Sequence, residues 1–272
     1  MKIVIHTWTQ KFNINQEHLK KYNYYNETNF YFGLGDLIRS TIKLFHLSKT
    51  MNFRLIVDIQ LHPISYFLKN EKHEYNDLVL KNKDNVDYVC YGGVEDYINQ
   101  HPDNDIMFIL TNDFCDEQNI NNECKDFIKK ILTPKDDYHN FIQRKMKKIP
   151  YSNFNILHYR LNDDEFLKKK SSIVFEEVYQ NLQKNKESND VLITDTYQFK
   201  HLVFSKDDSI FMFDIKICHL GLSENIDEIR DTLFEFFLIT KCSKIKTYCK
   251  IHEMSGFVKW ISKIYDIAIY KI

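Results

Sequence analysis

Short apolar runs alternate with amphipathic stretches along almost the whole chain. Ile3–His6, Phe53–Asp58, Val86–Tyr91 and Ile106–Leu110 are brief, mainly apolar and bounded by turn-forming residues, as buried strands are. Between them, Asp36–Ser48 spaces Leu37, Ile38, Ile42, Leu44, Phe45 and Leu47 along one helical face. Glu123–Leu132 reads as a helix that stops before Pro134. A second series follows Pro150. Its expected strands are Asn153–Tyr159, Val191–Thr194, Ile210–Phe213, Lys244–Tyr248 and Ile267–Tyr270. The helices between them are Val174–Gln183, Gln198–Phe204, Ile226–Ile239 and Gly256–Ile264.

Strands alternating with helices imply crossover units and a mostly parallel sheet, hence an α/β fold. The basic run Lys145–Lys148, closing on Pro150, separates the two series. It predicts two doubly wound, Rossmann-like domains, 1–148 and 149–272, facing across a cleft. One larger sheet is the competing architecture.

Composition narrows the class of function. A formal charge of −1 and a pI near 6.8 lack the basic excess of a general nucleic-acid binder, so none is expected as a partner. No stretch approaches the roughly 20 apolar residues of a membrane span. The N-terminal apolar run is too short for a secretory signal, and a cytoplasmic setting is expected. Six cysteines without a C-x-x-C pair read as reduced thiols. Only six glycines occur, so those that remain are expected to meet a backbone need.

Three segments carry candidate chemistry. Gly33-Leu34-Gly35-Asp36 precedes the first long helix, where free amides attract anions and Asp36 suits the cap. The plain alternative is a tight turn, and the missing third glycine excludes a dinucleotide fingerprint. The second segment is His158-Tyr159-Arg160. On a strand, His158 and Arg160 share a face, and they lie at the carboxyl end where open α/β sheets bind ligands. Arg160 there can grip a diphosphate, or it can simply pair with Asp163 or Asp164. The third is Ser255-Gly256-Phe257, at another helix start able to receive phosphate oxygens, or an ordinary serine cap. Asp195 ends a strand on the same crevice side and suits either a base or ribose contact, or a helix cap.

In this order, the segments resemble the GDP-fucose-dependent fucosyltransferases of the bacterial nodulation and core α-1,6 type. The likeness rests on Gly33–Leu37, Leu55–Asp58, His158–Arg160, Leu192–Asp195 and Leu238–Cys242 leading to Ser255–Phe257. It implies a GT-B fold whose C-terminal domain holds the donor, a GDP-fucose or related GDP-sugar, with no cofactor. It implies that Arg160 binds the β-phosphate beside His158 and that Asp195 contacts the nucleoside. Ser255, Gly256 and Phe257 would close on the diphosphate, and Gly33 and Gly35 would face the donor from the other domain. The family often has glycine after H-x-R, where Leu161 stands here.

The reaction this implies is inverting sugar transfer to a hydroxyl of a glycan or protein acceptor. Asp36, Asp58 and Asp113 are candidate bases for that hydroxyl, with Asp36 placed first. A metal is not expected: the D-x-D Asp103-Asn104-Asp105 precedes its strand, away from the ligand crevice. The histidines show no ligand spacing and are expected at the surface. Two other readings stay open: a non-catalytic nucleotide-sugar or glycan binder of the same fold, and a nucleotide-dependent oxidoreductase.

Overall fold

The alternating runs form two parallel sheets in the computed structural model, which describes residues 1–10, 32–89, 93–118, 120–161, 174–249 and 254–272. The chain divides into two compact units, Met1–Lys135 and Asp136–Ile272. Every pairing between strands of the two sheets is parallel.

In the first unit the elements run β1 (Ile3–Thr7), α1 (Leu34–Thr50), β2 (Arg54–Asp58), a 3-10 turn (Pro63–Tyr66), α2 (Asn76–Lys81) and β3 (Asp87–Val89). Then come α3 (Val94–Gln100), β4 (Ile106–Thr111) and α4 (Asn122–Ile131). The sheet order is β2-β1-β4-β3. Helices cover both faces, which is why the strands read as unbroken apolar runs. Val4 packs with Leu44 and Leu47 of α1 and with Val94 and Ile98 of α3. Its neighbour Ile5 packs with Ile56 and Val79 on the opposite face.

The second unit begins with α5 (Asp136–Met146), a helix absent from the elements the periodicity predicts. Tyr138 and Ile142, one turn apart, are its buried residues. The Tyr138 hydroxyl donates to the Arg230 carbonyl at 2.6 Å, and Phe141 meets Phe234 edge to face at 6.2 Å. The division between units therefore falls ahead of α5, whereas the basic run expected to mark it lies at the far end of that helix.

After α5 come β5 (Asn155–Arg160), α6 (Phe175–Asn185), β6 (Asp190–Thr194), α7 (Tyr197–Lys206) and β7 (Phe211–Met212). The unit closes with α8 (Ile226–Ile239), β8 (Lys244–Cys249), α9 (Gly256–Tyr265) and β9 (Ala268–Lys271). The order β7-β6-β5-β8-β9 is that of a doubly wound half-fold: the chain moves one way from β5 and the other way from β8. Right-handed crossovers then put α6 and α7 on one face and α8 and α9 on the other. Leu157, Tyr159 and Leu161 pack with Val178, Leu182, Phe199 and Val203 on the first face. On the second, Phe236 of α8 lies 6.0 Å from Phe257 and 6.2 Å from Tyr265 of α9.

The amino-terminal edge of this sheet is tied by buried charge. Lys246 Nζ donates to Asp190 Oδ2 and to the Asn185 carbonyl, both at 2.6 Å. Asn155 Nδ2 reaches Asp190 Oδ1 at 3.2 Å, so β5, β6 and β8 share one polar knot.

Candidate functional site

The strand reversal places the carboxyl ends of β5 and β8 side by side, with Arg160 registered against Cys249. In such sheets this is the position of the ligand crevice. The Arg160 side chain is about one-quarter exposed, and its Nη1 lies 3.2 Å from Asp195 Oδ2. Asp195 follows β6 and is buried; its Oδ1 accepts the Leu161 amide at 2.8 Å and the Thr196 hydroxyl at 3.2 Å. Asp195 is not the helix cap that the sequence also allowed, since Thr196 holds that position in α7. Asp163 and Asp164, the alternative partners for Arg160, lie outside the described residues.

His158 sits beneath Arg160 on the same strand. It is buried, with Nδ1 2.9 Å from the Thr247 hydroxyl of β8. Burial, helped by the Arg160 charge, pulls its pKa down to about 3, so the ring is neutral. The surface expectation for the scattered histidines fails at His6 and His62, which are buried and pulled down to about 3 by desolvation.

Next to Asp195 opens a cavity of about 390 Å³ that no sequence motif announced. Thr194 and Asp195 line one side, Tyr197 and Lys200 of α7 another, and the irregular segment Ile215–Ser223 forms its wall. Three contacts hold that wall to the helices. The Ile215 carbonyl accepts from Lys200 Nζ at 2.8 Å, the Cys218 amide donates to the Thr232 hydroxyl at 2.8 Å, and Lys216 pairs with Glu228 at 3.0 Å. His219 of the wall is held down to about 4, first by burial and then by the Arg160 charge. It thus belongs to the same electrostatic neighbourhood as the arginine. The sequence carried no cue for it, because the wall has neither helical nor strand periodicity.

Ser255 caps α9, which follows β8 and so begins on this same crevice side. It is buried, yet its side chain makes no cap hydrogen bond, contrary to the ordinary-cap reading. A Cβ added at Gly256 would meet only Trp260 Nε1, at 4.0 Å, so crowding within the protein does not demand glycine there. Phe257 leans toward Phe236.

In the first unit, α1 starts at Leu34 with Gly33 as its cap, which moves Asp36 one turn in from the expected cap position. Gly33 itself has φ −70°, open to any residue. Gly35 falls inside the first turn. The Asp36 carboxylate accepts the Gly33 amide at 3.2 Å and pairs with Arg39 at 3.2 Å, while remaining 40% exposed. The two other candidate bases are buried structural groups. Asp58 takes the Gln60 amide at 2.8 Å, His73 Nε2 at 2.9 Å and Asn76 Nδ2 at 3.2 Å. Asp113 takes the Val94 and Phe114 amides, at 3.2 and 2.8 Å. Asp105 directly precedes β4, at the amino-terminal edge of the sheet. Among the described residues, no three His, Cys, Asp or Glu side chains cluster to hold a metal. No described helix is long and apolar enough to cross a membrane.

No protein-family model and no curated protein sequence matches the chain. Solved structures do. The structure of NodZ alpha-1,6-fucosyltransferase soaked with GDP-fucose is similar over 97% of this chain and 92% of that one, with a TM-score of 0.56 at 12% identity. Fucosyltransferase NodZ from Bradyrhizobium covers 96% of this chain and 91% of its own, with the same score and identity. A mutant of Arabidopsis thaliana FUT1 in complex with GDP is similar over 99% of this chain and 70% of that one, with a TM-score of 0.52 at 10% identity. At such identities the likeness shows the fold: the chain has the α/β, GT-B-like fold of these fucosyltransferases.

Proposed function

We propose that this chain is an inverting, metal-independent glycosyltransferase that transfers fucose from GDP-fucose, or a related sugar from its GDP-sugar, to a hydroxyl of a glycan or protein. The observation that carries the reading is Arg160, fixed by Asp195 at the β5–β8 reversal beside a cavity walled by polar and apolar groups. The solved structures with GDP-fucose and with GDP supply the nucleotide.

In this reading the acceptor oxygen attacks the anomeric carbon opposite the diphosphate, the carbon–oxygen bond to the donor breaks, and GDP departs. Charge gathers on the leaving diphosphate, where Arg160 and the amides at the start of α9 offset it without a metal. Buried, neutral His158 positions the strand beneath Arg160 and leaves the arginine as the cation there. Asp195 and the cavity take the nucleoside side of the donor. Ser255, whose side chain makes no cap bond, and Gly256 serve the diphosphate, with Phe257 packing behind them. Gly33 and Gly35 shape the start of α1. Asp36, the solvent-accessible one of the three candidate carboxylates, takes the acceptor's proton.

A thermal-shift screen with GDP, GDP-fucose and UDP-sugars tests the donor. A ligand at about 100 times its Kd stabilises the fold by roughly 2.7 kcal/mol. A response to UDP-sugars alone would remove the fucosyl reading, and no response to any of them would remove the transferase reading. One observation favours a second possibility, a non-catalytic GDP-sugar binder: Asp36 is already engaged by Gly33 and Arg39. GDP binding with no turnover over a broad acceptor panel would select it.

A further inference from the structure

Lys200 is a buried ammonium on the cavity lining, only 4% exposed. An ammonium has three donors. The Ile215 carbonyl takes one at 2.8 Å, and Glu235 Oε1 lies 3.7 Å away, an ion-pair distance beyond hydrogen-bond range. Among the described residues, Lys200 therefore keeps donor capacity beyond these two contacts. A buried donor left short of acceptors is costly, and here it borders open volume.

Glu235, on α8, is 3% exposed and supplies the counter-charge. A buried ion pair is seldom the most stabilising choice, because well-packed apolar side chains of the same size do as well or better. The pair therefore calls for a role other than stability. The lining around Lys200 is mixed. Tyr197, Ile215, Ile217 and Leu222 offer apolar surface suited to a flat ring, and Asp195 links the cavity to Arg160.

We propose that Lys200, held in place by Glu235 and the Ile215 carbonyl, determines specificity by donating a hydrogen bond to a ring carbonyl of the nucleobase in this cavity. The inference rests on the nucleotide-sugar reading above and adds the residue that selects the base. A 6-oxopurine presents an acceptor to the ammonium, whereas a 6-aminopurine presents N–H groups that oppose it. GDP and IDP share that carbonyl and ADP lacks it.

Calorimetric titration of GDP, IDP and ADP into the wild-type chain, Lys200→Met and the double variant Lys200→Met/Glu235→Leu tests this. The double variant replaces the pair by apolar chains of similar size, so the fold survives even where the single change leaves Glu235 stranded. Wild type is expected to bind GDP and IDP alike and ADP more weakly. In the variants GDP and IDP lose about 10- to 100-fold, the range for a hydrogen bond to a charged group, while ADP is little changed. Retention of the GDP-over-ADP preference in the folded double variant overturns the proposal, as does an equal loss for all three. Absence of GDP binding in the wild type removes the donor reading itself and this proposal with it.

Discussion

Arg160 Nη1 and Asp195 Oδ2 lie 3.2 Å apart, and the other oxygen of the same carboxylate accepts the Leu161 amide. One buried acid thus fixes both the arginine and the backbone just beyond it. Arg160→Ala is expected to lower transfer by about 10²–10³-fold, as loss of one positioned donor to a developing negative charge does. Arg160→Lys should recover little of that loss, because a point charge cannot reproduce a fork held by a carboxylate. Steady-state rates with GDP-fucose check both, and an active Arg160→Ala would remove the arginine from the chemistry.

Asp36 makes a capping contact in α1 and is the proposed base, and substitution can separate the two. Asn in its place keeps an oxygen for the Gly33 amide but cannot take a proton. Asp36→Asn should therefore lower kcat by about 10²–10⁴-fold with donor affinity and Tm nearly unchanged. Asp36→Ala should cost about 1 kcal/mol of stability in addition, through the lost capping contact. Full activity in Asp36→Asn would return the acid to a purely capping role.

Acid should weaken the fold earlier than carboxylate titration alone predicts. His6, His62 and His158 are held at about 3 by burial, against 6.5 when unfolded. Between those values the unfolded chain binds protons that the folded chain refuses, so stability falls as pH falls. Each histidine contributes a slope of about 1.4 kcal/mol per pH unit. Glu235, pushed up to about 7 by burial, works the other way between its ordinary 4.5 and 7, and His219, held at about 4, balances it, so the slope of the three remains. Urea midpoints at about pH 7, 6 and 5 should decline steadily, and a flat series would mean the histidines charge in place.

At the far edge of the second sheet, Lys246→Met should destabilise by about 3–5 kcal/mol, since it leaves the fully buried Asp190 without its cation. Lys246→Met/Asp190→Leu should restore much of that stability, because the uncompensated charge goes too. Urea denaturation of both variants measures it. A mild single-variant effect would mean that the Asn155 amide and the Glu187 backbone amide alone satisfy the carboxylate.

Much of this was legible in local chemistry. Apolar runs of strand length, the helical stripe from Leu37 to Leu47 and the turn residues between them determined the α/β alternation, because periodicity is a property of neighbouring residues. The same reasoning put Arg160 at the carboxyl end of a strand. It missed α5, where Tyr138 and Ile142 carried a helical spacing too brief to stand out. It also set Asp36 at the cap, when Gly33 holds that place.

The partnerships were another matter. Asp195 meets Arg160 from 35 positions away, because β5 and β6 pair with Tyr159 opposite Thr194. The burial of Asp58 and Asp113, the neutrality of His158 and the wall from Ile215 to Ser223 likewise depend on which elements pack together. Sequence determined which segments become strands and helices. Only the tertiary structure decided which charges are buried, which are paired, and where a cavity remains, since desolvation and pairing depend on distances that spacing along a chain does not contain.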